Sequence, residues 1–221
     1  MRPIISARQA VEMIKPHARI LFGGFLAVGA AETLIDELVK INTKDLHIVV
    51  IASDYENRGI GKLVVNHQVK SAQLTHLGTN KEIQKQMNEG EIAITLIPQG
   101  TLLECVRASG AGLGGVLTPT GLGTVVEEGK QIIRIEDKDF ILEKAIPGDF
   151  ALIHAWKADK LGNLIYRETA RNSNPVMAMA GTITIAEVDE IVEVGELDPE
   201  QIVTPGVFVD YLVLSGGGNN G

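Results

Sequence analysis

The spacing of apolar side chains changes along the chain. Ala10, Val11, Met13 and Ile14 recur at helical spacing, and "RILF" at 19–22 reads as a short buried strand. Residues 30–41 place Leu34, Ile35, Leu38 and Val39 on one helical face. "LHIVVIAS" at 46–53 is a continuous apolar strand. It is followed by "VKSAQLTHL" at 69–77, a helical "NKEIQKQMNEG" at 80–90 and the strand "EIAITLIP" at 91–98. A helix over 99–110 then turns Leu102, Leu103 and Val106 inward. Strand and helix in alternation predict right-handed crossovers and a mostly parallel sheet. Unbroken apolar strands predict that helices cover both of its faces.

From residue 131 the pattern alters. "QIIRIEDKDFILEKA" predicts two strands about an Asp137-Lys138 turn, and "FALIHAWKADKLGNLIY" repeats the plan about Leu161-Gly162-Asn163. "TITIAEV" and "VFVDYLVL" add strands. The expected class is therefore α/β: an open, mostly parallel sheet with flanking helices, and antiparallel hairpins in the second half. No internal repeat or linker interrupts it, so residues 1–214 are expected to form one domain. The closing "SGGGNNG", with 215–221 as its span, reads as a disordered tail or an appended remnant.

Composition narrows the function classes. The 221 residues carry a formal net charge of −8 with Lys and Arg scattered, which argues against nucleic-acid and anionic-membrane partners. One cysteine, Cys105, excludes an internal disulfide and a cysteine-rich zinc site. The five histidines show no i, i+4 pairing, so no metal site is expected. Without a signal peptide or long apolar run, the expected compartment is the cytoplasm.

Two glycine clusters carry the chemistry. Residues 110–124, "GAGLGGVLTPTGLGT", contain six glycines, and Gly110, Gly112 and Gly115 satisfy G-x-G-x-x-G. That fingerprint must follow a strand and open a helix, whereas here a helical pattern precedes and Pro119 follows. Neither "GIGKL" nor "EEGKQ" has the glycine spacing or the Ser/Thr of a phosphate loop. An ordered loop where backbone approaches backbone or ligand remains. The second cluster, Gly23, Gly24 and Gly29, lies between a strand and a helix, where freed N–H groups at a helix start would face an anion.

Together these segments resemble the α subunits of class I coenzyme A transferases of the acetate/butyrate–acetoacetate (3-oxoacid) type. The family signature G-G-F-x-x-x-G-x-P appears as Gly23-Gly24-Phe25-Leu26-Ala27-Val28-Gly29-Ala30-Ala31. "PQGTLLECVR", "GAGLGGVLTPTGLGTVVEEGK", "LGNLIY", "ARNSNP" and "TPG" resemble family segments in the family's order, over about residues 6–214. Ala31 stands where the signature has Pro, and Pro16-His17 where an acidic or amide residue and Gly are usual. Ser53-Asp54 replaces Asn-Asp or Asn-Asn, and Ser173 an aromatic.

The resemblance implies transfer of CoA from an acyl thioester to a free carboxylate through a glutamyl-CoA thioester. The nucleophilic glutamate is expected on a partner β subunit in an α2β2 assembly, since none of Glu104, Glu127 and Glu128 matches the family's nucleophile segment. It further implies that Gln99 stabilises the oxyanion and that Gly23–Gly29 bind CoA, which enters as substrate with no permanently bound cofactor. Ser53, Asp54, Gly78, Thr79 and Gly100 would line the substrate pocket. Residues 110–124 would be a loop beside the cleft near the partner. Two alternatives are a non-catalytic CoA or organic-acid binding module and a sugar-phosphate isomerase of the same fold superfamily.

Overall fold

The computed structural model describes residues 1–216. Helix α1 (Ala7–Glu12) opens on a capping box: the Ser6 hydroxyl accepts from the Gln9 N–H, and the Gln9 side chain accepts from the Ser6 N–H. There follow β1 (Arg19–Phe22), α2 (Glu32–Ile41), β2 (Leu46–Val49), α3 (Gly61–Val65), β3 (Val69–Leu74), α4 (Lys81–Asn88), β4 (Ala93–Leu96) and α5 (Gln99–Gly110). The chain continues through β5 (Gly115–Thr118), β6 (Ile132–Ile135), β7 (Lys138–Lys144), β8 (Gly148–Asp159), β9 (Leu164–Ile165), α6 (Asn174–Ala180), β10 (Gly181–Val192) and β11 (Tyr211–Leu214).

The main sheet runs β11-β10-β8-β1-β2-β3-β4, with every neighbouring pair parallel. Alternate side chains of each strand feed opposite layers. Ile20 and Phe22 of β1 join Leu34, Ile35, Leu38, Leu63 and Ile83 from α2, α3 and α4 on one face. Leu21, between them in sequence, joins Leu102, Val106 and Met177 from α5 and α6 on the other. The expected two-sided cover is thus present, except at β4. There Ala93, Thr95 and Leu96 are exposed, because β4 is the sheet edge and α5 packs against α6 and β5 instead.

The second half differs from a set of hairpins appended to a parallel half. The β6–β7 hairpin exists and pairs with β5 in a small antiparallel sheet, and β8 does turn back through β9. Yet β8 is also a central strand of the main sheet, flanked in parallel by β1 and β10. Its buried run from Phe150 to Ala155 reflects that position. Of "VFVDYLVL", only Tyr211–Leu214 is strand; Gly206–Phe208 forms a 3-10 turn.

Intrachain geometry accounts for five of the six glycines in 110–124. A Cβ at Gly110 or Gly115 would meet the backbone of Met179 or Glu143 at under 3 Å, and Gly112, Gly121 and Gly123 hold positive φ. Gly114 alone faces open space at ordinary φ.

Part of the expected tail is docked. The Ser215 N–H donates to the Val188 carbonyl at 2.8 Å, and the Gly216 N–H to Thr33 Oγ1 at 3.1 Å. Residues 217–221 lie outside the described residues. The Ser215 hydroxyl also donates to Glu187 Oε1 at 3.0 Å, while Oε2 of this fully buried carboxylate accepts the Leu34 N–H at 3.0 Å. Glu187 therefore caps α2 from β10, where Ala31 offers no side-chain cap. Removing it strands buried donors, so Glu187→Ala is expected to cost about 2 kcal/mol and lower Tm by roughly 4–8 °C. An unchanged Tm in thermal unfolding would disprove the capping role.

Candidate active site

Chain order equals spatial order from β1 to β4, so four consecutive strands deliver their carboxyl ends side by side. Gly23–Gly29 follow β1, Ser53-Asp54 follow β2, Gly78-Thr79 follow β3 and Gln99-Gly100 follow β4. At ~4.8 Å between strands, these segments line one rim of about 15 Å. Beyond β1 the order reverses to β8, and open α/β sheets leave a crevice at such a switch point. A cavity of about 560 Å³ occurs there, between Ala27–Ala30 on one side and His154, Trp156 and Arg167 on the other.

The glycine loop is a narrow ribbon. Phe25 and Val28 exchange both backbone hydrogen bonds, at 3.1 and 3.0 Å, across Leu26 and Ala27. Those two hold φ of +50° and +67°, the pattern of a type I′ turn, which Asn-Gly favours. With L side chains the conformation costs on the order of 1–2 kcal/mol per residue, so the surroundings must hold it.

They do so from two sides. Asp54 Oδ1 accepts the Ala27 N–H at 2.8 Å, and Oδ2 accepts the Ile60 N–H at 3.0 Å. Opposite, Asn172 Nδ2 donates to the Val28 carbonyl at 2.9 Å, Ser173 Oγ to Gly24 at 3.2 Å and Asn174 Nδ2 to Gly29 at 3.0 Å. Asn174 Oδ1, which accepts the His154 N–H, lies 1.7 Å from where a Gly23 Cβ would stand. Gly23 is thus fixed by packing. "ARNSNP" was legible as a family segment, but its contact with the loop was not, because some 145 residues separate the partners.

The expected pocket residues divide. Asp54 and Thr79 meet, the Thr79 hydroxyl donating to the Asp54 carbonyl at 2.8 Å. The Asp54 carboxylate, however, is committed to the loop rather than turned toward a ligand. The Ser53 hydroxyl is fully buried and has no hydrogen-bond partner among the described residues. Gly78 packs on the His76 ring, and Gly100 has open space about it. Gln99 is the first residue of α5; it is exposed, and its amide neither caps the helix nor finds another partner among the described residues.

The helix start after the loop is not the anion site anticipated from sequence. Glu187 occupies the Leu34 N–H, and Glu32 stands in the first turn of α2. The loop's own Gly24, Leu26 and Gly29 N–H groups, by contrast, form no hydrogen bond among the described residues. Nucleophiles are scarce here. Burial pushes the Cys105 thiol up to about 11, Glu104 pairs with Arg107 at 3.2 Å, and Glu127 accepts the Gly123 N–H at 2.6 Å. Among the described residues no group of His, Cys, Asp or Glu is placed to hold a metal ion.

Burial raises the Asp54 carboxyl to about 6, against the lowering influence of the Ile60 and Ala27 N–H groups, with nearby Glu32 adding to the rise. The folded state then binds a proton more tightly than the unfolded chain between about pH 4 and 6. Asp54 therefore favours the fold below that window and loses this contribution as pH rises through it. The stability of wild type relative to Asp54→Asn is expected to fall from pH 4 to 6 and then level off. Parallel stability–pH curves for the two proteins would contradict this assignment.

The sequence and fold have known counterparts. Residues 4–215 match the family described as Coenzyme A transferase. Acetate CoA-transferase subunit alpha of Escherichia coli (strain K12) is 43% identical over 212 residues, covering 96% of each chain. Acetoacetyl-CoA:acetate/butyrate CoA transferase alpha subunit of Clostridium acetobutylicum is 42% identical over 210 residues, covering 95% of this chain and 96% of that one. The crystal structure of an acyl-CoA transferase from E. coli O157:H7 superposes with a TM-score of 0.88 at 25% identity. It covers 99% of this chain, which spans 50% of that longer one. No described helix is long and apolar enough to cross a membrane. The chain belongs to the coenzyme A transferase family.

Proposed function

We propose that this chain is the α subunit of a cytoplasmic α2β2 CoA-transferase that moves CoA between short-chain acids such as acetoacetate and acetate or butyrate. One observation carries the division of labour. The four segments that form the strand-end rim offer unclaimed donors, the Gln99 amide and three loop N–H groups, while their one carboxylate, Asp54, is already bound to two N–H groups. A β subunit supplies the glutamate that attacks the thioester. The isomerase alternative is not favoured, since the similar chains carry CoA-transferase names.

A glutamate oxygen attacks the acyl-CoA carbonyl, the C–S bond breaks, and CoA leaves as thiolate, giving an acyl–glutamyl anhydride. The thiolate then attacks the glutamyl carbonyl and expels the acyl group as a free carboxylate, leaving a glutamyl-CoA thioester. The acceptor carboxylate reverses both steps. Each addition builds an oxyanion, and Gln99 donates an N–H to it without titrating. Gly23–Gly29 seat the CoA thioester, while Gly78, Thr79 and Gly100 form the adjoining pocket wall; Ser53 and Asp54 are buried behind it, and Asp54 acts through the loop.

The complex purified from its native cell and incubated with acetoacetyl-CoA should carry a CoA adduct on a glutamate of the second chain, located by mass spectrometry. An adduct on this chain, or transfer by this chain alone, would overturn the half-site reading. Gln99→Ala should lower kcat by roughly 10²- to 10³-fold and leave Tm unchanged, since its side chain holds nothing in the fold. A wild-type kcat in that variant would remove Gln99 from the chemistry.

A further inference from the structure

Asn172 and Ser173 touch the glycine loop from outside both the loop and the strand-end rim, and no role in transfer follows from their residue types. Their hydrogen bonds go to two loop carbonyls, Val28 and Gly24, and to none of its N–H groups. A trans peptide points its C=O and N–H in opposite directions. Holding the Val28 carbonyl against Asn172 therefore aims the Gly29 N–H away from that segment, and this N–H is one of the three left unclaimed. Holding the Gly24 carbonyl likewise fixes the next peptide, whose Phe25 N–H closes the ribbon on Val28.

The tip needs such restraint. Leu26 and Ala27 sit in the left-handed region without being glycine, so a released loop would relax toward ordinary φ and swing its donors away. We propose that Asn172 and Ser173 are positioning residues for CoA transfer, which hold the strained tip so that the loop's free N–H groups meet the acyl-CoA. This rests on the transferase function proposed above. Asn174 belongs to the same strap, but its buried amide also binds His154 and Ala170, so its loss would disturb the fold. Asn172 is exposed, and the other bond its amide donates, to the Thr169 carbonyl at 2.8 Å, is an exposed contact within its own turn, so it separates the two effects.

Asn172→Asp keeps the shape and the acceptor for the Ser173 N–H, and sets an oxygen against the Val28 carbonyl. In the assembled complex this variant should lose roughly tenfold or more in kcat/KM for acyl-CoA, a misplacement effect, with Tm and assembly as in wild type. Hydrogen exchange at the Phe25 and Val28 amides should quicken. Asn172→Gln, which keeps a donor, should recover most of the rate. A wild-type rate in Asn172→Asp, or a loss that tracks Tm or assembly and is not recovered by Gln, would overturn the positioning role. A wild-type complex that moves no CoA would instead bring down the transferase reading on which the proposal stands, and the wild-type rate tells the two failures apart.

Discussion

A single buried amide organises the region where the sheet reverses direction. Asn174 accepts the His154 N–H from β8 and donates to the Gly29 and Ala170 carbonyls. A buried amide left without partners would be destabilising, so all of these groups must stay where they are. Its oxygen fills the volume of a Gly23 side chain, and its nitrogen stands 3.0 Å from where a Gly29 Cβ would be. Two signature glycines are thereby dictated from a helix start about 145 residues away. The strained turn between them is tolerable only because both of its ends are pinned.

Much of this was legible in the sequence, and the boundary of legibility has a physical cause. Local periodicity located α2, α5 and β1 to β4, because each buries a stripe or run that its own spacing encodes. The glycine-loop position followed from the end of β1, whereas Gln99 was singled out by the family resemblance and the structure places it at the end of β4 on the same rim. The helices α3 and α6 escaped notice: α3 has only five residues, and α6 opens on "SNP", which by composition reads as a turn. β8 misled for another reason. Its final residues do pair in a hairpin, and a long apolar strand does not reveal which neighbours it has on the sheet. Contacts such as Asn172 to Val28 join distant segments and leave no local trace.

The treatment of α2 separates two ways of meeting an anion. A free helix N-terminus is a ready phosphate site, yet here a buried carboxylate, Glu187, already neutralises it and links it to Ser215. A second anion at that spot would face this charge and that of Glu32. The loop's individual N–H groups are better suited to a carbonyl oxygen that gains charge only during reaction, because they are oriented donors without a large standing field.

The same economy explains why a neutral amide stands at the end of β4. An acid there would share the rim with Asp54, whose carboxyl is already raised to about 6 by burial. A second carboxylate nearby would raise it further, and the protonated Asp54 would keep only one full-strength acceptor for the two N–H groups it now holds. An uncharged group at that position leaves Asp54 ionised near neutral pH, with both oxygens free to hold the Ala27 and Ile60 N–H groups.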